Sequence, residues 1–332
     1  MKKPAIGKAW KKAPFFCLNV LCLLCLAVIA LGFGASDLAA GEEQELTIQQ
    51  IHEIAEECPV SFEDPFFLVA VSDSLNCDVR KLTEGRLEKV KSLTIVGNER
   101  VEEIGDLRLF PNLETVTIKG CGVRRVPDLS GLPHLLKLNL SNNQIRDLSD
   151  MGRCDSLVEL NLSHNRIEDI SALSNLTHVV KVDLAENRIT SADALNDMRE
   201  LEIMDLKMNQ IRQMPEIRAP HLKKLVLQDN LLTDISFMEG NRTITSLDIS
   251  YNRVHEISGL ATCPNLEELY LYGYSRMDLS PLENMPSFHS IFLSQVFERD
   301  PSINFLIGNF KTADRYSKAY LIAKEKGLDS YE

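Results

Sequence analysis

The chain has 332 residues, 44% of them hydrophobic and 25% charged, with a formal net charge of −12. That composition excludes a low-complexity, collagen-like or disordered chain. The acidic balance also removes the long-range attraction that nucleic acid or an anionic membrane surface would need, so neither is expected as a partner.

The N-terminus departs from the average. Lys2, Lys3, Lys8, Lys11 and Lys12 precede an apolar run from Phe15 to Phe33, and Leu38-Ala39-Ala40 follows. A basic start, an apolar core and small residues predict a signal peptide over residues 1–40, cut near Ala40 or Gly41. The run is also long enough to stay as an uncleaved anchor. In either case the lysines remain cytoplasmic and the rest of the chain is exported, to the periplasm or cell envelope or beyond it. Any membrane link runs through this segment alone. Removing it takes away five of 36 basic and one of 48 acidic residues, leaving 31 against 47, a net of −16.

Residues 42–89 predict a helical N-terminal cap. Thr47 with Gln50 makes a capping box, and Ile48, Ile51, Ile54 and Ala55 lie on one face. Asp64 before Pro65 marks the start of a second helix that carries Phe66, Phe67, Val69 and Val71. Cys58 and Cys77 flank this helix, and outside the cytoplasm they are expected to form a disulfide.

Repeats occupy residues 90–297. Leu135, Leu138, Leu140, Asn143 and Ile145 set the pattern LxxLxLxxNxI. It returns 22 residues later at Leu157, Leu160, Leu162, Asn165 and Ile167, and continues to Ile244–Val254 with one 21-residue step. A fixed period of this length predicts an α/β leucine-rich repeat solenoid of about ten repeats. Each xxLxLxx piece is a short strand, and stacking gives one parallel concave sheet. Ten strands at ~4.8 Å span roughly 43 Å. IxxIxxL segments such as Ile167, Ile170 and Leu173 form a convex side of 3₁₀ or irregular turns. Asn143, Asn165, Asn187, Asn209, Asn230 and Asn252 are expected to satisfy buried turn backbone. That ladder is expected to fail at Cys121, Tyr274 and Val296. Cys154 and Cys263 share the phase of Phe110 and Leu132, which makes them core residues. Residues 298–332 predict a C-terminal helical cap, with a helix over Thr312–Lys326 and Gly327 as its stop.

The 22-residue pattern resembles the repeat class of bacterial internalins and of a leucine-rich regulatory subunit of eukaryotic Ser/Thr phosphatases. The cap favours the first. The stretch VSFEDPFFLVAVSDSLNCDVRKLTEGRLEKVKSLTI at 60–95 is similar to the helical cap of exported internalin-like proteins, which carries F-x-D-P-x-L-x-x-A-V followed by I-T-x-x-x-L. Phe62, Asp64, Pro65, Leu68, Ala70 and Val71 answer to the first motif, with the Leu, Ala and Val spacing shifted. Leu82-Thr83 and Leu87 answer to the second. The resemblance covers about residues 45–295, and it implies binding of protein or carbohydrate by the concave face. The sequence shows no LPxTG signal or Ig-like domain, two features frequent in that family.

Chemistry leaves no comparable trace. The seven histidines are scattered without metal-site spacing, and GxGxxG, Walker and GxSxG motifs are absent. No enzyme, cofactor or metal is expected. Binding leaves more. The residue between the two strand leucines points out of the concave sheet, and that row reads Thr94, Thr117, Asn139, Asn161, Asp183, Asp205, Val226, Asp248, Tyr270, Phe292. A second outward row includes Lys207, Gln228, Ser250 and Tyr272. Tyr251, Tyr270, Tyr272 and Phe292 therefore gather at the C-terminal half, bordered by Asp205 and Asp248. Clustered exposed aromatics mark a contact site. The expected function is an exported, non-enzymatic, monomeric module whose concave face takes a protein or peptide. The alternative is a scaffold of the cell envelope tethered by an uncleaved N-terminal segment.

Overall fold

A computed structural model of the chain describes residues 46–151, 154–274 and 277–293. The leader at 1–40, the C-terminal cap at 298–332 and Val296 lie outside the described residues.

The N-terminal end begins with helix α1 (Ile48–Glu56). Its capping box forms as expected: the Thr47 hydroxyl accepts the Gln50 N–H at 3.3 Å, and Gln50 Oε1 accepts the Thr47 N–H at 2.8 Å. Ile51 and Ile54 are buried, but Ile48 is 64% exposed, so the expected apolar face loses its first member. Helix α2 (Pro65–Ser74) starts at Asp64, whose carboxylate accepts the Phe66 N–H at 2.8 Å. Phe67 to Val71 on α2 are buried.

Two contacts fasten this cap to the repeats. Phe62 sits 6.3 Å from the Phe67 ring and 6.4 Å from Phe110. Asp106, only 1% exposed, accepts the N–H groups of Glu63 and Asp64 at 2.7 and 3.0 Å. The α2 terminus also covers the sheet's first edge, where the Thr94 N–H donates to Ser74 Oγ at 3.3 Å. Cys58 and Cys77, the expected disulfide partners, both stand at this end as thiols. They are near enough for the Cys77 charge to raise the Cys58 thiol, although burial is the larger cause.

Ten strands form one parallel sheet in chain order. They are β1 (Ser92–Val96), β2 (Thr115–Lys119), β3 (Lys137–Asn139), β4 (Glu159–Asn161) and β5 (Lys181–Asp183). β6 (Ile203–Asp205), β7 (Lys224–Val226), β8 (Ser246–Asp248), β9 (Glu268–Leu271) and β10 (Ser290–Leu293) complete it. Pairing sets Leu93, Val116, Leu138, Leu160 and Val182 side by side, then Met204, Leu225, Leu247, Leu269 and Ile291. All ten are buried. A slip of one residue would turn this whole apolar row to solvent, so the leucine spacing fixes the register. The convex side is built of 3₁₀ turns such as Ser171–Asn175 and Ser258–Thr262. Cys121, Cys154 and Cys263 are buried in the solenoid.

The asparagine ladder satisfies the turn that ends each strand. At Asn165, Oδ1 accepts the Ile145 N–H at 3.0 Å, while Nδ2 donates to the carbonyls of Leu140, Leu162 and Ser163 at 3.0, 3.0 and 3.2 Å. The same set recurs at Asn187, Asn209, Asn230 and Asn252. The expected failure at Tyr274 does not occur. Its hydroxyl lies in the core and donates to the Ile249 carbonyl at 2.9 Å, 25 residues back, the same offset that separates Asn165 from Leu140. Backbone N–H groups of Val254 and Asn252 bond the hydroxyl in turn. A phenol thus reaches, from a ring's length away, the groups an amide reaches in the other repeats. At Cys121 the replacement is weaker, with a thiol contact to the Lys119 carbonyl at 3.6 Å.

The residue before each ladder position has a left-handed backbone. Gly97, Gly120 and Gly273 hold it at φ of +73°, +64° and +85°. Asn142, His164, Glu186, Met208, Asp229 and Tyr251 hold the same place at φ between +54° and +57°. For a residue with a Cβ this conformation costs roughly 1–2 kcal/mol, less for Asn and Asp. Their side chains form a ridge along the turn edge of the concave face.

Candidate functional site on the concave face

Most of the outward row of the sheet falls into two kinds, with Thr94, Thr117 and Val226 outside both. Asn139, Asn161, Asp183, Asp205 and Asp248 each use a side-chain oxygen to accept the N–H two residues on, at 2.9–3.1 Å. This turns the chain out of the strand, as an Asx motif does. Asp205 and Asp248, expected as the border of a binding patch, therefore each commit one oxygen to their own strand end, on Lys207 and Ser250 respectively. Burial raises both carboxyls above their ordinary range. The Asp183 charge adds to this at Asp205, and Lys224 opposes it at both. Periodicity gave no sign of this double role, although Asn or Asp two residues before a turn is the signal that could have shown it.

At the C-terminal end the row changes character. Tyr270 and Phe292 are register partners on β9 and β10, and their rings stack with centroids 4.2 Å apart and planes 5° from parallel. Both stay half-buried on the concave face. A ring cannot accept the N–H two residues on, so Tyr272 takes its acceptor from the neighbouring repeat: its N–H donates to Ser250 Oγ at 3.0 Å. Ser250, expected to face outward, is fully buried for this reason. The exchange frees the Tyr270 position for an aromatic ring. Tyr270 Oη lies 3.4 Å from Glu268 Oε2, and burial together with the Glu268 and Asp248 charges raises its phenol.

Tyr251 stands beside this stack at the strand end, 53% exposed. Its N–H donates to the Tyr272 carbonyl at 2.7 Å. Its ring leans over Gly273, where a Cβ would come within 2.5 Å of Cδ1. All four expected aromatics are thus brought to one end of the concave face, with Asp248 next to Tyr270 in register.

Elsewhere on the ridge, His164 Nδ1 lies 2.8 Å from Glu186 Oε2. Among the described residues no group of three or more His, Cys, Asp or Glu is placed to hold a metal ion. No described helix is long and apolar enough to cross a membrane.

Family models for leucine rich repeats match residues 111–167, 155–197 and 242–284. No curated protein matches the sequence as a whole. Among solved structures, an internalin (inlF) of Listeria monocytogenes is 23% identical, with a TM-score of 0.64 over 75% of this chain and 74% of the other. Internalin C2 (inlC2) of the same organism is 24% identical, with a TM-score of 0.54 over 74% and 96%. The plant peptide hormone receptor RGFR1, in complex with RGF2, is 24% identical with a TM-score of 0.51, over 63% of this chain and 37% of the receptor. Ten in-register parallel strands, the asparagine-type ladder and these matches agree on the fold: a leucine-rich repeat solenoid, similar in architecture to the two internalins.

Proposed function

We propose that the protein is an exported, non-enzymatic binding module that takes a protein or peptide partner on the C-terminal half of its concave face. The observation that carries this reading is the Tyr270–Phe292 stack, left half-exposed at the end of an outward row in which Asn139, Asn161, Asp183, Asp205 and Asp248 cap their own strand ends. Aromatic pairs supply much contact area at low entropic cost and recur in binding hot spots. The RGFR1 arc, seen in complex with RGF2, supports the view that such a solenoid can hold a peptide.

The test replaces Tyr270 and Tyr272 with Ala in the full chain and captures the partner by crosslinking in the native envelope. Partner capture is expected to fall at least about tenfold with the melting temperature nearly unchanged. A large fall in melting temperature with capture intact would overturn the assignment. Export has its own checks. N-terminal sequencing of the mature protein should begin near Gly41, and an intact Met1 in the membrane fraction would instead indicate an anchor. In an oxidising compartment Cys58 and Cys77 should bond, so thiol titration of the exported protein should find both blocked until reduction.

A further inference from the structure

The turn-edge ridge poses a question that folding does not answer. Three repeats place Gly at the left-handed position, and one places Asn, the non-glycine residue that tolerates it best. Met208 and Tyr251 hold the same conformation although neither is suited to it. Neither recovers the strain by burial, since they are 45% and 53% exposed and rank among the few large hydrophobic side chains so placed. Strain kept in an exposed apolar residue points to a contact outside the chain.

The two residues stand two repeats apart on one ridge, and Tyr251 adjoins the aromatic end. Ridge residues of successive repeats are neighbours, as His164 and Glu186 show by touching at 2.8 Å. Only Asp229 separates Met208 from Tyr251 along the ridge, and half-buried Leu231 lies two residues after it. Tyr251 in turn abuts Gly273 and hydrogen-bonds Tyr272. A continuous surface therefore runs from Met208 over Tyr251 to Tyr270 and Phe292.

Its charge identifies the complement. Asp229 stands on the ridge, Asp248 pairs with Tyr270 in register and Glu268 meets the Tyr270 hydroxyl, with Lys224 near Asp248 as the opposing charge. Asp229 makes no ion pair among the described residues. Aromatic faces flanked by surplus carboxylates attract ammonium and guanidinium groups.

We propose that the ridge of Met208, Asp229 and Tyr251 is the outer edge of the binding site, and that it takes an extended peptide segment in which an apolar side chain is flanked by basic ones. This inference rests on the concave-face reading above, and the experiment separates the two. Two synthetic peptides of equal length, one of Arg, Leu and Gly and one of Glu, Leu and Gly, are titrated against the full chain. The partners in the titration are the native chain and its Met208→Asn, Tyr251→Asn, Asp229→Asn and Tyr270→Ala variants.

The Arg peptide is expected to bind the native chain and the Glu peptide not to. Met208→Asn and Tyr251→Asn should weaken binding by at least about tenfold. Because Asn142 already occupies this conformation, both variants should melt at the native temperature or above it. Asp229→Asn should lower affinity for the Arg peptide and flatten its salt dependence. If the two Asn variants lose thermal stability, the residues serve folding and the inference falls. If Tyr270→Ala loses the Arg peptide while the ridge variants keep it, the ridge assignment falls and the concave site stands. If the peptide binds every variant equally, both readings fall. Binding of neither peptide, or of the Glu peptide alone, overturns the assigned partner chemistry.

Discussion

The middle repeats and the last two solve the same local problem with different side chains. From β3 to β6 the outward Asn or Asp caps its own strand, while a buried Asn one turn on holds the turn backbone. At β9 both jobs pass to other groups: Ser250 of the previous repeat caps the strand, and the Tyr274 hydroxyl replaces the ladder amide. The solenoid therefore requires hydrogen-bond acceptors and donors at fixed points, and is indifferent to which residue supplies them. Where a neighbouring repeat supplies them, the outward position becomes available for binding. That is the structural origin of the aromatic stack.

The largest effect should come from breaking the middle. Asn187 joins four backbone groups of two successive repeats, the Ile167 N–H and the carbonyls of Leu162, Leu184 and Ala185. Asn187→Ala strips this partner from the Ile167 N–H and the Leu162 and Leu184 carbonyls, while the Ala185 carbonyl keeps the His164 N–H at 2.8 Å; the change should cost about 3 kcal/mol or more in denaturant unfolding. A loss below about 1 kcal/mol would show that water enters the turn.

The opposite end of the molecule supplies a contrast, a buried polar group that no repeat serves. One carboxylate oxygen of Asp73, near the end of α2, is buried with no partner among the described residues, and burial raises its pKa to about 7 from an ordinary 3.8. The folded chain therefore holds a proton that the unfolded chain releases between about pH 4 and 7. The stability this contributes is fully present below about pH 4 and lost as pH rises through about 7, on the order of 4 kcal/mol in all. Urea unfolding across that range should show the decline in the native chain. Asp73→Asn should remove that part of it, and an unchanged slope would place the titration elsewhere.

The two regions also differ in how far their roles could be read from residues alone. The Leu spacing and the Thr47, Asp64 and Pro65 signals sufficed for the solenoid and its cap, because each is a local pattern with one geometric solution. The aromatic cluster was legible too, since strand alternation decides which side chains face out. The uses of Tyr274, Ser250, Asp205 and Asp248 were not. Each depends on a bond whose partner is chosen by ring length or by the next repeat, which no single-repeat consensus encodes. The left-handed ridge was hidden for a related reason: Met208 and Tyr251 are residues that this backbone normally rejects.

A finer break removes only the substituted ladder bond. Tyr274→Phe keeps the ring in the core and deletes the hydroxyl, so the Ile249 carbonyl loses the donor it has at 2.9 Å. The expected cost is about 1–2 kcal/mol, smaller than at Asn187 because fewer groups are orphaned. Equal costs at the two positions would mean that the phenol does the whole work of the amide.

The smallest effect on stability should carry the largest information about binding. Ser250→Ala removes the acceptor of the Tyr272 N–H, a single neutral hydrogen bond of about 1 kcal/mol. If the exchange between repeats is what positions the aromatic end, losing it lets the Tyr272 backbone shift and carries with it the Tyr251 N–H bond to the Tyr272 carbonyl. Tyr251 and Tyr270 would then leave their shared surface. Affinity for the partner should fall further than the unfolding free energy does, and adding Tyr270→Ala should cost little more, because the two changes disable one site. Full additivity of the two substitutions in binding would show that Ser250 supports only the backbone, and that the stack holds its place through the Tyr270–Phe292 contact alone.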